Sequence, residues 1–334
     1  MSTFTLKTIR ATMQTMTDIS GAALDGAVVI VTGAGRGIGR AHARALAAHG
    51  ARVVVNDVAG AQACVDRLAA DGLTAWADSS DIGTWDGARS LIGATVNRFG
   101  CLDGLVNNAG VLRRADVADL VEEDLDLELG VNLKGAFACT RFASQYWRQE
   151  SRAGRRRCAS VVNTASDTIF TGSPGGAGYA ATKAAIVALT QSASLEGAQY
   201  GVRHNAIAPS GRTPMAAGSG LLAFGAAPVP DDPADQDPAA PDNPQHNSPL
   251  VVWLMSAESR HVNGQVFRLR FGAFSRMDPT TNGEWLIPPG EAAAWAPDQV
   301  GEALNSQVFG SRFRQPMREF PNQPSLPFSR LDHT

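Results

Sequence analysis

AVVIVTGAGRGIG, residues 27–39, decides the fold. A six-residue apolar run from Ala27 to Thr32 is too short for a buried helix and suits a strand covered on both faces. It runs straight into a glycine-rich turn, and the residues beyond Gly39 have helical character. A strand, a glycine turn and a helix in that order form the opening of a βαβ unit, whose turn brings backbone N–H groups and the positive end of a helix to one point. Gly33, Gly37 and Gly39 allow the chain to turn sharply there and to approach a pyrophosphate. Arg36 and Ile38 lie between them. About twenty residues on, Asp57 closes the next apolar run, ARVVVND (51–57), where an acidic side chain can accept hydrogen bonds from both hydroxyls of an adenosine ribose. The same charge repels a 2′-phosphate, so NAD is favoured over NADP, although Arg36 is a basic group that could balance such a phosphate.

The alternation continues outward. LTAWAD (73–78), CLDGLVNNAG (101–110), CASVVNTAS (158–166), VRHNAIAP (202–209) and GQVFRLR (264–270) are short β-rich runs separated by helix-length segments. This pattern predicts about seven parallel strands with helices on both faces, an α/β doubly wound sheet of Rossmann type. One sheet accounts for residues 24–270, giving a single domain. Residues 1–23 are expected to be a flexible leader. The stretch AAPVPDDPADQDPAAPDNPQHN (226–247) is too rich in Pro and Asp for a helix or strand and reads as a long mobile loop, with a substrate lid over 213–247. The Pro-rich tail, 271–334, carries spaced aromatics from Trp285 to Phe328 and reads as an extension packed on the body or on a neighbouring subunit.

Composition excludes several function classes. With 334 residues, a formal charge of −3 and 44% hydrophobic residues, the chain can bury a core and is not built to bind polyanions. RAGRRRC (152–158) is a solvated connector and no nucleic-acid partner is expected. No apolar run reaches the roughly 20 residues of a membrane span. The start lacks the apolar segment of a secretory signal, and its Thr-rich, acid-poor letters only faintly echo a transit peptide, so a cytoplasmic location is expected. The four cysteines, Cys64, Cys101, Cys139 and Cys158, are scattered, which predicts free thiols and no metal site.

The chemistry is concentrated in GYAATKAAI (178–186). Tyr179, one of three tyrosines, and Lys183 stand four apart and so share a helix face, where an ammonium can lower the phenol pKa of about 10. Alone, such a pair is more often surface decoration. NTAS (163–166) changes that reading, because it places Ser166 at the carboxyl edge of the fifth strand, where open α/β sheets bind ligands. NNAG ends the fourth strand, and VNLKG (131–135) supplies Asn132 between them.

TGAGRGIG, NNAG, Asn132, Ser166 and the Tyr179/Lys183 pair, in that order, resemble the short-chain dehydrogenase/reductase family over roughly residues 24–270. The resemblance implies hydride transfer between a nicotinamide and an alcohol or carbonyl carbon. It implies Tyr179 as general acid–base, Ser166 as hydrogen-bond partner of the reacting oxygen, Lys183 on the nicotinamide ribose, and Asn132 holding a water of a proton relay. It also implies that Asp81 and Ile82 meet the adenine, that Asn107 lines the cofactor groove, and that Pro209 and Thr213 border the cofactor. The chain departs from the family's Pro-Gly after the sixth strand, reading PSGRTPM (209–215) with Ser210 in the glycine's place. Homodimers or homotetramers are implied by the same resemblance.

VVVNDVAG, GVLRRADV and SPLVVWLMSAESRHVNGQVF are similar to the branch with the dehydrogenase part of peroxisomal-type multifunctional enzymes and bacterial hydroxysteroid dehydrogenases. That branch implies secondary alcohols on large apolar frameworks. The absence of an Arg/Lys cluster in 213–247 tilts the reading toward a hydroxysteroid or a cyclic or aryl alcohol. A (3R)-hydroxyacyl-CoA dehydrogenase, an NADPH-dependent biosynthetic ketoreductase and a catalytically idle NAD-binding regulator are the alternatives.

Overall fold

The computed structural model describes residues 23–155, 157–218 and 229–277. Every expected apolar run is a strand: β1 Val28–Thr32, β2 Arg52–Asn56, β3 Ala75–Asp78, β4 Gly104–Asn107, β5 Ala159–Thr164, β6 Val202–Ala208 and β7 Val266–Arg270. The first crossovers are α1 Gly37–Ala48, α2 Ala61–Ala70 and α3 Trp85–Phe99. Then α4 Glu122–Glu128 runs through a π-helical segment, Leu129–Gly135, into α5 Ala136–Arg152, with right-handed helical backbone across both joins. Beyond β5 come the single turn α6 Thr168–Thr171, the long α7 Ala177–Ala198, the short α8 Pro214–Gly218 and α9 Ser248–Met255.

The sheet order is β3-β2-β1-β4-β5-β6-β7-β8. The first seven strands are parallel, and an eighth, Ala273–Met277, pairs antiparallel with β7 through Phe267↔Arg276 and its neighbours. The sheet therefore runs past Arg270, where the parallel rhythm was expected to end, and the expected extension starts as its last strand. Residues 278–334 and the leader up to residue 22 lie outside the described residues.

Alternation along a strand builds a layer on each face. Val29 and Val31 of β1 join Leu46 of α1, Leu68 of α2 and Leu254 of α9, whereas Ile30 between them joins Leu91 of α3 and Phe142 and Trp147 of α5. With both faces covered, VVIVT is buried at all five positions, which is why it reads as an unbroken apolar run. Among the described residues, no helix is long and apolar enough to cross a membrane.

The Pro/Asp segment departs from expectation. Residues 229–247 hold two 3-10 turns, Pro233–Asp235 and Pro244–Asn247, each started by an Asx side chain: Asp232 accepts from the Ala234 N–H and Asn243 from the Gln245 N–H. The buried Asp232 faces three guanidinium groups, at 3.4 Å from Arg40, 3.8 Å from Arg44 and 3.9 Å from Arg67. The Asp231 carbonyl accepts the Gly37 N–H at 2.8 Å, and the Asp242 carbonyl accepts the Arg212 N–H at 2.7 Å. Proline-rich composition excludes long elements, yet it leaves these Asx turns and ion pairs free to fasten the segment to α1 and to the loop after β6. The segment forms a strap along α1 and the loop after β6. The proposed lid falls partly on 219–228, outside the described residues.

Replacing Asp232 with Ala removes the carboxylate that three arginines share, although Arg44 keeps Asp71 and Arg67 keeps Asp235, and is expected to weaken docking of the strap by roughly 1–3 kcal/mol. Limited proteolysis checks this: cleavage within 229–247 should be faster in the variant than in the parent chain.

Candidate active site

The order reversal between β1 and β4 splits the helices to opposite faces and opens a crevice at the carboxyl ends of these strands. On its β1 side the glycine turn fits against the NNAG turn. Gly33 adopts φ +61°, and a Cβ there would lie 2.6 Å from the Ala109 Cα. Thr32 and Asn108 fix this contact. The Thr32 hydroxyl oxygen accepts from the Asn108 and Ala109 N–H groups at 3.1 Å, and the Asn108 amide donates to the Thr32 and Gly33 carbonyls at 3.0 and 3.1 Å. Neither residue was singled out from the sequence, although both lie inside the quoted motifs.

The residues present fit a dinucleotide. Arg36, the exposed N-cap of α1, makes no side-chain cap, and no acid stands in the first turn that holds the buried Gly37 and Gly39 and the half-buried Ile38, so the positive helix end is not neutralised by its own side chains. Asp57 sits just past β2 with Oδ2 accepting the Gly35 N–H at 2.9 Å and Oδ1 accepting the Ala59 N–H at 3.0 Å. Each oxygen keeps a lone pair for a further donor. Thr213 packs its methyl group toward Gly37, whose Cβ would lie 3.5 Å away. Pro209 is half-buried just after β6, and Ser210 is locked in place by Asn247, which accepts its N–H at 3.2 Å and donates to its carbonyl at 2.8 Å. An amide from the strap thus fixes the loop where the family's glycine is replaced.

Three expected cofactor residues also have partners within the fold. Asn107 is buried and donates to the Thr140 hydroxyl at 3.0 Å and to Asn163 Oδ1 at 2.8 Å, while Asn163 donates to Thr190 at 2.9 Å. That chain ties α5, β4, β5 and α7 together across the register pair Asn107↔Asn163. Ile82 is buried against Gly135, whose Cβ would meet its Cδ1 at 2.8 Å, and Asp81 is exposed, with Oδ1 accepting the Gly83 N–H at 2.9 Å.

On the β5 side, Ser166, Tyr179 and Lys183 converge. Lys183, 2% exposed, donates to the Thr164 carbonyl at 2.8 Å, and its Nζ lies 5.5 Å from the Tyr179 ring centroid. The Ser166 oxygen accepts from the Thr168 N–H at 3.3 Å and from its hydroxyl at 3.0 Å, which leaves the serine's own proton to donate. Thr168 is a further site residue that no sequence signal marked.

The electrostatics correct one expectation. Burial pushes the Tyr179 phenol up to about 12, the Ser166 hydrogen bond opposes this, and the charges of Asp167 and Glu128 add to it. Burial lowers Lys183 to about 8. Desolvation dominates both groups, raising the phenol and lowering the ammonium. Asn132, on the π-helical segment, also has a different first task. Its Oδ1 accepts the Val111 N–H at 2.7 Å, and its amide donates to the Val111 carbonyl at 2.9 Å and to the Thr182 hydroxyl at 3.2 Å. The side chain clamps a loop to α7, the helix that carries Tyr179.

Because Lys183 shifts from 10.5 to about 8, the unfolded chain binds more protons across that window, so stability rises with pH there. Lys183→Met is therefore expected to gain on the order of 2–3 kcal/mol over the parent at pH 7, a gain that narrows as pH rises from about 8 to 10.5. Urea unfolding as a function of pH measures it.

Comparison with known proteins agrees with this architecture. Residues 27–220 match the family model described as short chain dehydrogenase. The chain is 43% identical over 306 residues to the hydroxyacyl-CoA dehydrogenase ChsB1 of Mycobacterium tuberculosis, covering 89% of this chain and 92% of that protein. It is 38% identical to the 3-oxoacyl-[acyl-carrier-protein] reductase FabG of Staphylococcus aureus, over 54% of this chain and 72% of the reductase. A crystal structure of a short chain dehydrogenase from Mycobacterium avium superposes with a TM-score of 0.73 at 41% identity, covering 85% of this chain and 94% of that one. The chain belongs to the short-chain dehydrogenase family and is an oxidoreductase.

Proposed function

From its membership in that family we propose that the chain interconverts a secondary alcohol and a ketone with NAD, with Tyr179 as general acid–base. The observation that carries this reading is the convergence of Ser166, Tyr179 and the buried Lys183 at the carboxyl edge of β5. In the oxidative direction the Tyr179 oxygen takes the hydroxyl proton while Ser166 donates to the same substrate oxygen, stabilising the negative charge that grows there. A bound nicotinamide would supply the hydride acceptor and, when oxidised, positive charge to the site. Burial raises the phenol to about 12, so positive charge brought to the site would favour loss of its proton.

The glycine turn would hold the pyrophosphate, Asp57 the adenosine ribose, and Lys183 the nicotinamide ribose, with Asn132 beside a water of the proton relay. Asp57 favours NAD, because its carboxylate offers acceptors to ribose hydroxyls and repels a 2′-phosphate. For the substrate, the names of the two relatives shift the weight from a free steroid or aryl alcohol to a hydroxyacyl thioester. The mycobacterial relative spans nearly the whole chain and is named for hydroxyacyl-CoA, and the reductase is named for a 3-oxoacyl carrier thioester. Exposed Leu129, Phe137 and Leu195 support a homodimer or homotetramer.

Tyr179→Phe is expected to lower turnover by about 10³-fold or more while leaving NADH binding near that of the parent. Rates on hydroxyacyl-CoA thioesters, hydroxysteroids and cyclic or aryl alcohols with each nicotinamide test the whole reading, and thioesters should turn over fastest. Asp57→Ala is expected to weaken use of NAD and narrow its lead over NADP, read as the ratio of kcat/KM for the two cofactors.

A further inference from the structure

The helix that carries Asn132 buries a second polar side chain one turn earlier, and the reaction above does not use it. Glu128 is 0% exposed. Its Oε1 accepts the Arg113 N–H at 2.8 Å, while its Oε2, also buried, has no hydrogen-bond partner among the described residues. That free oxygen lies against Gly178, where a Cβ would sit 2.4 Å from it, so the residue before Tyr179 has to be glycine for the carboxyl to fit.

Positions 128 and 132 repeat the same contact along the helix. Asn132 holds Val111 and reaches Thr182, and Glu128 holds Arg113 and meets Gly178. The two side chains, four residues apart on one helix, therefore press the 111–113 loop onto two successive turns of α7, on either side of Tyr179. The surrounding charges do not neutralise Glu128. The Arg113 guanidinium is paired with Asp124 at 3.3 Å, Arg114 donates to the Pro174 carbonyl, and Lys183 donates to Thr164. Asp167, across from Tyr179, is paired with Arg268 at 2.8 Å.

We propose that Glu128 is a positioning residue of the reaction, holding the 111–113 loop and Tyr179 in register when protonated and disturbing both when it ionises. This rests on the reading of Tyr179 as the acid–base group. An ionised carboxylate only accepts, and with one oxygen buried and unpaired it loses hydration without compensation, whereas a protonated carboxyl carries a single neutral dipole into the same space. Burial accordingly pushes the Glu128 carboxyl up, against the lowering effect of the Arg113 N–H, and its charge raises Tyr179. The sign follows: as pH rises and Glu128 ionises, a negative charge appears beside Tyr179 and makes its deprotonation harder.

E128Q and E128A, with Tyr179→Phe as control, test the proposal. E128Q keeps the acceptor for Arg113 and removes the charge. It is expected to retain the parent substrate KM and to move the rising limb of the kcat/KM profile to lower pH. E128A loses the acceptor and should raise substrate KM by about tenfold or more, as loss of alignment does, with NADH affinity unchanged and faster hydrogen exchange at the Val111 and Arg113 amides. An E128Q profile superimposable on the parent's, or an E128A variant with parental KM and exchange, overturns the proposal. If E128A does not fold, the E128Q profile decides alone. If Tyr179→Phe keeps its turnover, the functional reading falls, and amide exchange in E128A still decides whether Glu128 holds the loop.

Discussion

Two turns of main chain meet at the reversal of strand order, and the rest of the site depends on how closely they approach. A methyl group on Gly33 would overlap the Ala109 backbone, and one on Gly39 would lie 2.2 Å from the Gly33 carbonyl. Only bare backbone allows β1 and β4 to end side by side with α1 starting immediately beyond them. Thr32 and Asn108 convert that closeness into hydrogen bonds, satisfying main-chain groups that would otherwise be stranded at the sheet edge. The helix end, Asp57 and strand β5, which leads to Ser166, take their positions from this joint.

The site is electrostatically expensive. A lysine with its ammonium on one carbonyl, a phenol raised by burial and a glutamic acid with an idle oxygen all crowd the first two turns of α7. A core of this size could have buried apolar groups there at lower cost. That the costs gather where proton transfer is proposed is the ordinary pattern of active sites, in which perturbed groups mark the chemistry.

Much of this was legible in the sequence for a physical reason. Strands covered on both faces leave unbroken apolar runs, and turns that need glycine announce it, so β1 to β7 and the crevice could be read directly. Ser166, Tyr179 and Lys183 were legible because their spacing is local to one strand end and one helix. Partnerships between distant segments were not. Nothing near Asn107 reveals that it pairs with Asn163 and Thr140, nor does the Pro/Asp composition of 229–247 show that Asp232 meets arginines from α1 and α2. The lowering of Tyr179 by Lys183 was inferred from helix geometry, which fixes who is neighbour to whom and not how much water each has lost. β8 was missed because its outward residues are nearly all exposed and carry no apolar rhythm.

That last strand bears on where the domain can be cut. Arg270, the end of the parallel pattern, looks like a natural boundary, but a chain ended there would strip β7 of its neighbour and present the open ladder of Val266–Arg270 to any other strand in solution. With β8 in place, the outer edge among the described residues is a short strand bearing Arg276, a charged rim of the kind that resists edge-to-edge association. The hairpin is thus a cap for the sheet, and fragments meant to retain the fold have to extend at least through Met277.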